Sequence, residues 1–172
     1  MDLLNQVRAA GVIGAGGAGF PTHVKLDASA DYILLNGAEC EPLLRVDQQL
    51  MALYPDDIIQ GLAAAGRQVQ AGKAIIGIKG KHEDVIRILK DHIRLLHLED
   101  YVKVGILPDI YPAGDEQVLV YELTGRVVPE CAIPLAVGCV AINAETALNV
   151  AHAAVGKSVT ETYITLNGDI PR

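Results

Sequence analysis

Apolar and polar residues alternate along this chain in two periods, and the switches between them mark its elements. Leu3, Leu4, Val7 and Ala10 share one face of a helical repeat over residues 3–10. Tyr32-Ile33-Leu34-Leu35 is a short apolar run that predicts a strand ending at Asn36-Gly37. Residues 55–70 predict a helix: Pro55 suits its first turn, Asp56 and Asp57 suit its positive end, and Gly72 follows its stop. Residues 74–78 predict a second buried strand. Residues 82–98 predict an amphipathic helix with Val85, Ile86, Leu89, Ile93 and Leu96 inward. Residues 102–107 predict a third strand, and residues 115–123 and 144–154 two further helices. Strand, helix, strand, helix, strand is the rhythm of an α/β fold: a Rossmann-like parallel sheet with helices on both faces.

Two stretches stand outside that rhythm. Residues 11–22 form a glycine-rich N-terminal loop. Residues 160–166 alternate like a strand of a different element, followed by the turn signal Asn167-Gly168-Asp169-Ile170-Pro171-Arg172. This is an abrupt stop, so we expect the native chain to continue.

The length of 172 residues suits one domain with its own core, and 51% of the residues are hydrophobic. With no Trp and few aromatics, that core must come from Ala, Val, Ile and Leu. The net charge of −7 and the absence of a dominant basic patch argue against a nucleic-acid partner. No apolar run reaches the roughly 18 residues that span a bilayer, and the N-terminus lacks a signal-peptide pattern. Cys40, Cys131 and Cys139 are odd in number and scattered, which favours a reducing, cytoplasmic setting over a disulfide scaffold. The chain has no C-x-x-C, and its five His residues show no metal-ligand spacing, so no metal site is expected.

Gly14-Ala15-Gly16-Gly17-Ala18-Gly19 satisfies G-x-G-x-x-G, and Glu39 lies twenty residues beyond Gly19, where a dinucleotide fold keeps its ribose-binding acid. Two details oppose the ordinary version. Only Val12-Ile13 precede the glycines, and Phe20-Pro21 follows where the phosphate-binding helix should run. The loop therefore suits close backbone approach to a phosphate or ring outside the standard fold; a flexible linker is the alternative. Asn36 to Pro42 and Tyr111 to Glu116 each follow a strand, where ligands bind parallel sheets. Their carboxylates equally fit helix caps and polar turns. Cys40 has no local base or cation to activate it, so no nucleophilic role is assigned.

These segments together carry a resemblance. Gly14 to Thr22 with Lys25, Asn36-Gly37-Ala38-Glu39-Cys40-Glu41-Pro42, Ala113-Gly114-Asp115-Glu116 and Ile142-Asn143-Ala144-Glu145-Thr146 resemble, in order, four flavin segments of the NADH-binding subunit of respiratory complex I. Phe20 to Leu26, Cys40-Glu41-Pro42 and Tyr111 to Gly114 resemble the C subunit of the Rnf electron-transport complex more narrowly. The stretch from Tyr111 to Pro129 is most similar to the flavoprotein cobalamin reductases of propanediol utilisation. The resemblance implies an NADH-dependent flavin oxidoreductase. FMN would be held by Gly14, Gly16, Gly17, Gly19, Lys25, Asn36, Glu39, Gly114, Asp115, Asn143 and Thr146, and NADH would lie against Phe20, Glu41 and Glu116. Electrons would leave singly for iron–sulfur clusters (two of the four-iron type) in a C-terminal module outside this chain. Residues 1–158 would be the flavin domain and residues 159–172 the opening of a small β-grasp domain. The partner would be an iron–sulfur module or acceptor protein, with no direct membrane insertion but room for peripheral attachment to a membrane complex or an enzyme microcompartment. The chain departs from the complex I pattern at Leu26-Asp27-Ala28, where a second Phe is expected, and at Val127 to Ala132, where the adenine-holding segment is expected. Other classes compatible with the same pocket are a scaffold that docks a partner protein and a phosphate-ligand binding module without redox activity.

Overall fold

The computed structural model describes residues 2–169. Four parallel strands form one sheet in the order β3-β2-β1-β4: β1 Tyr32–Gly37, β2 Lys73–Lys79, β3 Val102–Leu107 and β4 Cys139–Asn143. The helices are α1 Leu3–Ala9, the single turn α2 Thr22–Lys25, α3 Val46–Leu53, α4 Pro55–Gln68, α5 Glu83–Leu95, α6 Glu116–Thr124 and α7 Ala144–Ala154. A 3₁₀ turn, Pro134–Val137, leads into β4.

Side chains alternate across the sheet, so β1 builds two cores at once. Ile33 and Leu35 join Ile58, Leu62, Ile76, Leu89 and Leu148 in a large core under α1, α4, α5 and α7. Leu34 faces the other way, onto Leu107, Leu119 and Val120 of a smaller core under α6. Gly77 and Gly105 pair across β2 and β3, and a Cβ on either would meet Leu123 of α6. Their missing side chains make the groove that seats α6.

The structure adds two elements and changes two sequence-based expectations. Strand β4 and helix α3 were not anticipated. Cys139 to Ile142 is a short apolar run with only Asn143 between it and the apolar residues of α7, so pattern does not set it apart, and α3 is only eight residues long. Asp115 is the N-cap of α6 and not its first residue. The expected strand over 160–166 has no partner strand among the described residues and runs as extended, mostly exposed chain. Three hydrogen bonds tie it down instead: Val159 N–H to Ala10 O (2.9 Å), the Thr162 hydroxyl to Glu145 Oε1 (2.8 Å) and Arg45 N–H to Thr165 Oγ1 (3.4 Å). The end of the expected turn, 170–172, lies outside the described residues.

Strand order reverses between β1 and β4. Chain leaving β1 passes to one face through α3 and α4, and chain entering β4 arrives from α6 on the other. Such a switch point opens a crevice at the carboxyl ends of the strands, where α/β sheets bind ligands. Asn36 and Asn143 are register partners across it.

Candidate functional site

Three of the four motif segments reach this crevice directly, and the glycine loop docks beside it. The loop is not a Rossmann turn, because no strand precedes it and β1 follows it. It is closed at its base instead: Gly14 N–H donates to Phe20 O (2.8 Å), Thr22 N–H to Val12 O (3.2 Å), and Ile13 bridges Pro21. Its crown sits on α7, with Ala15 N–H donating to the buried Thr146 hydroxyl oxygen at 3.0 Å. A Cβ on Gly16 would lie 2.5 Å from Asn143 Oδ1, so a side chain there would have to displace Asn143 or the loop where it meets the end of β4. Gly17 has φ +105° and nothing within 4 Å of where a Cβ would stand. Residues 15–18 are exposed, and among the described residues the N–H groups of Gly16, Gly17 and Ala18 donate to no protein acceptor. A run of free N–H groups on a glycine backbone is a cradle for a phosphate or a ring edge.

Beside the loop, Lys25 Nζ donates to Ala141 O of β4 at 3.0 Å and lies 3.4 Å from Glu116 Oε1. Two cavities lie in this region, and the pair lines the second. One, about 310 Å³, is walled by Asn36, Glu39, Cys40, Glu41, Asp47, Gly114, Asp115 and Asn143, with Tyr111 and Pro112 at its edge. The other, about 370 Å³ and largely apolar, holds Phe20, Val24, Lys25, Ala28, Glu116 and Ile133 to Leu135 beside β4. Both fall at the lower end of the roughly 300–1,000 Å³ typical of small-ligand pockets. Phe20 and Glu116 thus share a cavity, whereas Glu41 stands on the wall of the first. The space left by Ala28 is part of the apolar cavity, and Ile133 and Leu135 supply apolar surface there. Neither residue stood out in the sequence, since an isolated Ile or Leu after a proline-rich loop carries no signal.

Several of the polar residues picked from sequence are occupied by the fold. Asn36 uses both ends of its carboxamide, Nδ2 on Gly114 O (2.8 Å) and Oδ1 on Ala38 N–H (3.2 Å). Asp115 accepts from Gln117 and Val118 N–H at 2.9 and 3.2 Å, capping α6. Glu39, at φ +39° in a region side chains rarely occupy, accepts from Asp47 and Gln48 N–H at 3.3 and 3.4 Å. It therefore caps α3. Asn143 stands at the end of β4 against Gly16, and no side-chain cap ties it to α7.

Asp47 is a site residue that sequence reading missed. Burial, reinforced by the Glu39 and Glu145 carboxylates, pushes its carboxyl from 3.8 up to about 7. Below that value the folded chain holds a proton that the unfolded chain has already released. Stability therefore falls as pH rises from about 4 to about 7, and the full cost of ionised Asp47 is present above that window. Asp47→Asn is expected to raise the thermal midpoint at pH 8 by several degrees, with the gain shrinking toward zero near pH 4. A gain that does not vary with pH would contradict this account. In a neighbouring cavity that His82 shares with Glu39 and Cys40, burial and then the Lys81 and Arg45 charges lower the His82 pKa.

Among the described residues no group of His, Cys, Asp or Glu is arranged to hold a metal ion, and no helix is long and apolar enough to cross a membrane. His92 and His152 instead face Asp56 and Asp57 at the start of α4, at 2.7 and 3.7 Å.

Residues 7–152 match the family described as the Nuo51 FMN-binding domain. The chain belongs to this family. It is 46% identical to the cobalamin reductase PduS of Citrobacter freundii over 97% of its own length, and 43% identical to PduS of Salmonella typhimurium over 99%. Identity to the C subunit of the Na(+)-translocating ferredoxin:NAD(+) oxidoreductase complex of Acetobacterium woodii is 38% over 95%. The chain spans 36%, 37% and 38% of those three relatives. The NAD+-reducing NiFe hydrogenase, air-oxidised, matches with a TM-score of 0.74 and 28% identity, over 88% of this chain and 30% of that one. Its H2-reduced form gives 0.78 and 25%, over 89% and 30%. The Nuo51-type fold therefore accounts for the sheet and its crevice, and the named relatives are oxidoreductases.

Proposed function

We propose that this chain holds FMN at the crevice between β1 and β4 and serves as the entry point for electrons from NADH, delivering them to an iron–sulfur partner. The observation that carries this reading is the glycine loop: the N–H groups of Gly16, Gly17 and Ala18 have no protein acceptor among the described residues, its crown lies against Asn143, and Lys25 stands beside it. The donor set suits a phosphorylated, flat, hydrogen-bonding ligand. Free N–H groups suit a phosphate, Lys25 offsets local negative charge, and Asn143 and the rim of Gly114 suit the polar edge of a heterocycle. FMN, when bound, supplies the conversion of a two-electron donor into single electrons.

The protein's own contribution is placement and field. The bonds of Glu39, Asn36, Asp115 and Thr146 hold the ends of β1, the first turns of α3 and α6, and the loop in fixed relation. The apolar cavity of Phe20, Val24 and Ile133 to Leu135, with the Lys25–Glu116 pair at its mouth, is the surface we assign to the nicotinamide nucleotide. Glu41, on the neighbouring wall, is assigned to the same ligand's outer reach. Four-iron clusters are expected in a partner module, because this chain offers no ligand set for them among its described residues.

Anaerobic addition of NADH to the FMN-loaded protein tests the donor. The flavin bands are expected to bleach, and Phe20→Ala is expected to raise the NADH concentration for half-bleaching about tenfold, roughly 1.4 kcal/mol. Flavin that stays oxidised with NADH but bleaches with dithionite would overturn NADH as the donor.

A further inference from the structure

Asn36 and Cys40, four residues apart at the end of β1, reach to one peptide unit far along the chain. Asn36 Nδ2 donates to Gly114 O at 2.8 Å, and Gly114 N–H donates to Cys40 Sγ at 3.0 Å. Both polar groups of residue 114 are thereby satisfied from a single strand end. The fit is close: a Cβ on Gly114 would stand 3.3 Å from Cys40 Sγ, 3.4 Å from Ala38 Cβ and 3.5 Å from Asn36 Oδ1. The placement of the next two residues depends on where Gly114 is held. Asp115 caps α6, and Glu116 opens that helix with its carboxylate 3.4 Å from Lys25. Cys40 itself is half-buried on the wall of the first cavity, while Cys131 is exposed and Cys139 is buried beneath α6.

We propose that Cys40 is a positioning residue. Its sulfur accepts the Gly114 N–H and, with Asn36, locks residues 113–116 in the arrangement that completes the flavin slot. The role needs neither a thiolate nor a bond to any ligand. The effect on ligand binding rests on the FMN assignment above, but the clamp itself does not.

The test therefore has two readouts on the full chain. In the ligand-free protein, hydrogen exchange at the Gly114 amide is followed by NMR in the parent, Cys40→Ala and Cys40→Ser. Exchange is expected to speed up about tenfold in Cys40→Ala, the scale of losing one hydrogen bond, and to stay slow in Cys40→Ser, whose hydroxyl oxygen still accepts. FMN affinity is expected to fall about tenfold in Cys40→Ala and to recover in Cys40→Ser, while the thermal midpoint of each ligand-free variant stays near that of the parent. Unchanged Gly114 exchange in Cys40→Ala would overturn the clamp. Faster exchange with unchanged FMN affinity would overturn its role in the slot. A parent that takes up no FMN would sink the FMN assignment, and the exchange measurement would still decide the clamp.

Discussion

Gly61→Val is expected to unfold much of this protein. Helices α4 and α7 cross at Gly61, where a Cβ would overlap the Ala147 carbonyl oxygen and lie 3.1 Å from Ala151 N. Those atoms belong to the backbone of another helix and cannot rotate away as a side chain would. In an exposed helix, Gly to Ala gains roughly 0.5–1 kcal/mol. Here the sign reverses, because overpacking a tight core costs about 1–3 kcal/mol for a small addition. Alanine should therefore lower the urea midpoint, and valine should lower it further, a serious loss for a domain stabilised by about 5–15 kcal/mol. The damage should also reach the crevice, since α7 starts at the end of β4 and carries Thr146, which docks the glycine loop. A Gly61→Ala protein as stable as the parent would show that α4 and α7 are not packed this closely.

Gly17→Val should act in the opposite way, sparing the fold and removing the ligand. No protein atom lies within 4 Å of its Cβ position, so the ligand-free domain bears only the strain of φ +105°, on the order of 1–3 kcal/mol. The same open space lies over the free N–H groups of the loop. A branched side chain there should cut FMN affinity at least about 100-fold, close to 3 kcal/mol, with a drop of only a few degrees in the thermal midpoint. Gly16→Ala is the companion variant. Its Cβ would press on Asn143 Oδ1, so weakened FMN binding in that case would report displacement of Asn143 or of the loop. Unaltered FMN binding in the Gly17 variant would remove the loop from the site.

The contrast between these two glycines shows what the sequence could reveal. Both occur in strings of small residues, Gly61-Leu62-Ala63-Ala64-Ala65-Gly66 and Gly14 to Gly19. Only the second has a pattern that points to a ligand. The long segments were legible: helix α4 from the residues at its ends, the core face of α5 from spacing, and strands β1 to β3 from apolar runs. Strand β4 and helix α3 were not, because a short run gains its identity from a neighbouring strand or core that local pattern does not contain. Thr160 to Leu166 alternates as a strand would, but it has no partner strand among the described residues and runs as extended chain. At the site, the motifs identified the segments that converge, but not how each side chain is used. Asn36, Glu39, Asp115 and Thr146 are engaged by backbone groups at the crevice: Asn36 by Ala38 and Gly114, Glu39 by the first turn of α3, Asp115 by the first turn of α6, and Thr146 by the distant glycine loop. Cys40 and Gly114 meet only because β1 and the start of α6 share one edge of the sheet. Asp47 gains its raised pKa from burial in the folded chain, reinforced by carboxylates brought in by the loop after β1 and by α7.

The central claim is that FMN occupies the crevice beside the glycine loop, and equilibrium uptake tests it most directly. The purified chain is mixed with excess FMN, desalted, and its visible absorption compared with its protein content. The account predicts close to one FMN per chain, lost in Gly17→Val and kept in Glu130→Gln, a substitution at an exposed position outside the crevice. No retained flavin in the parent, or equal retention in the Gly17 variant, would contradict it.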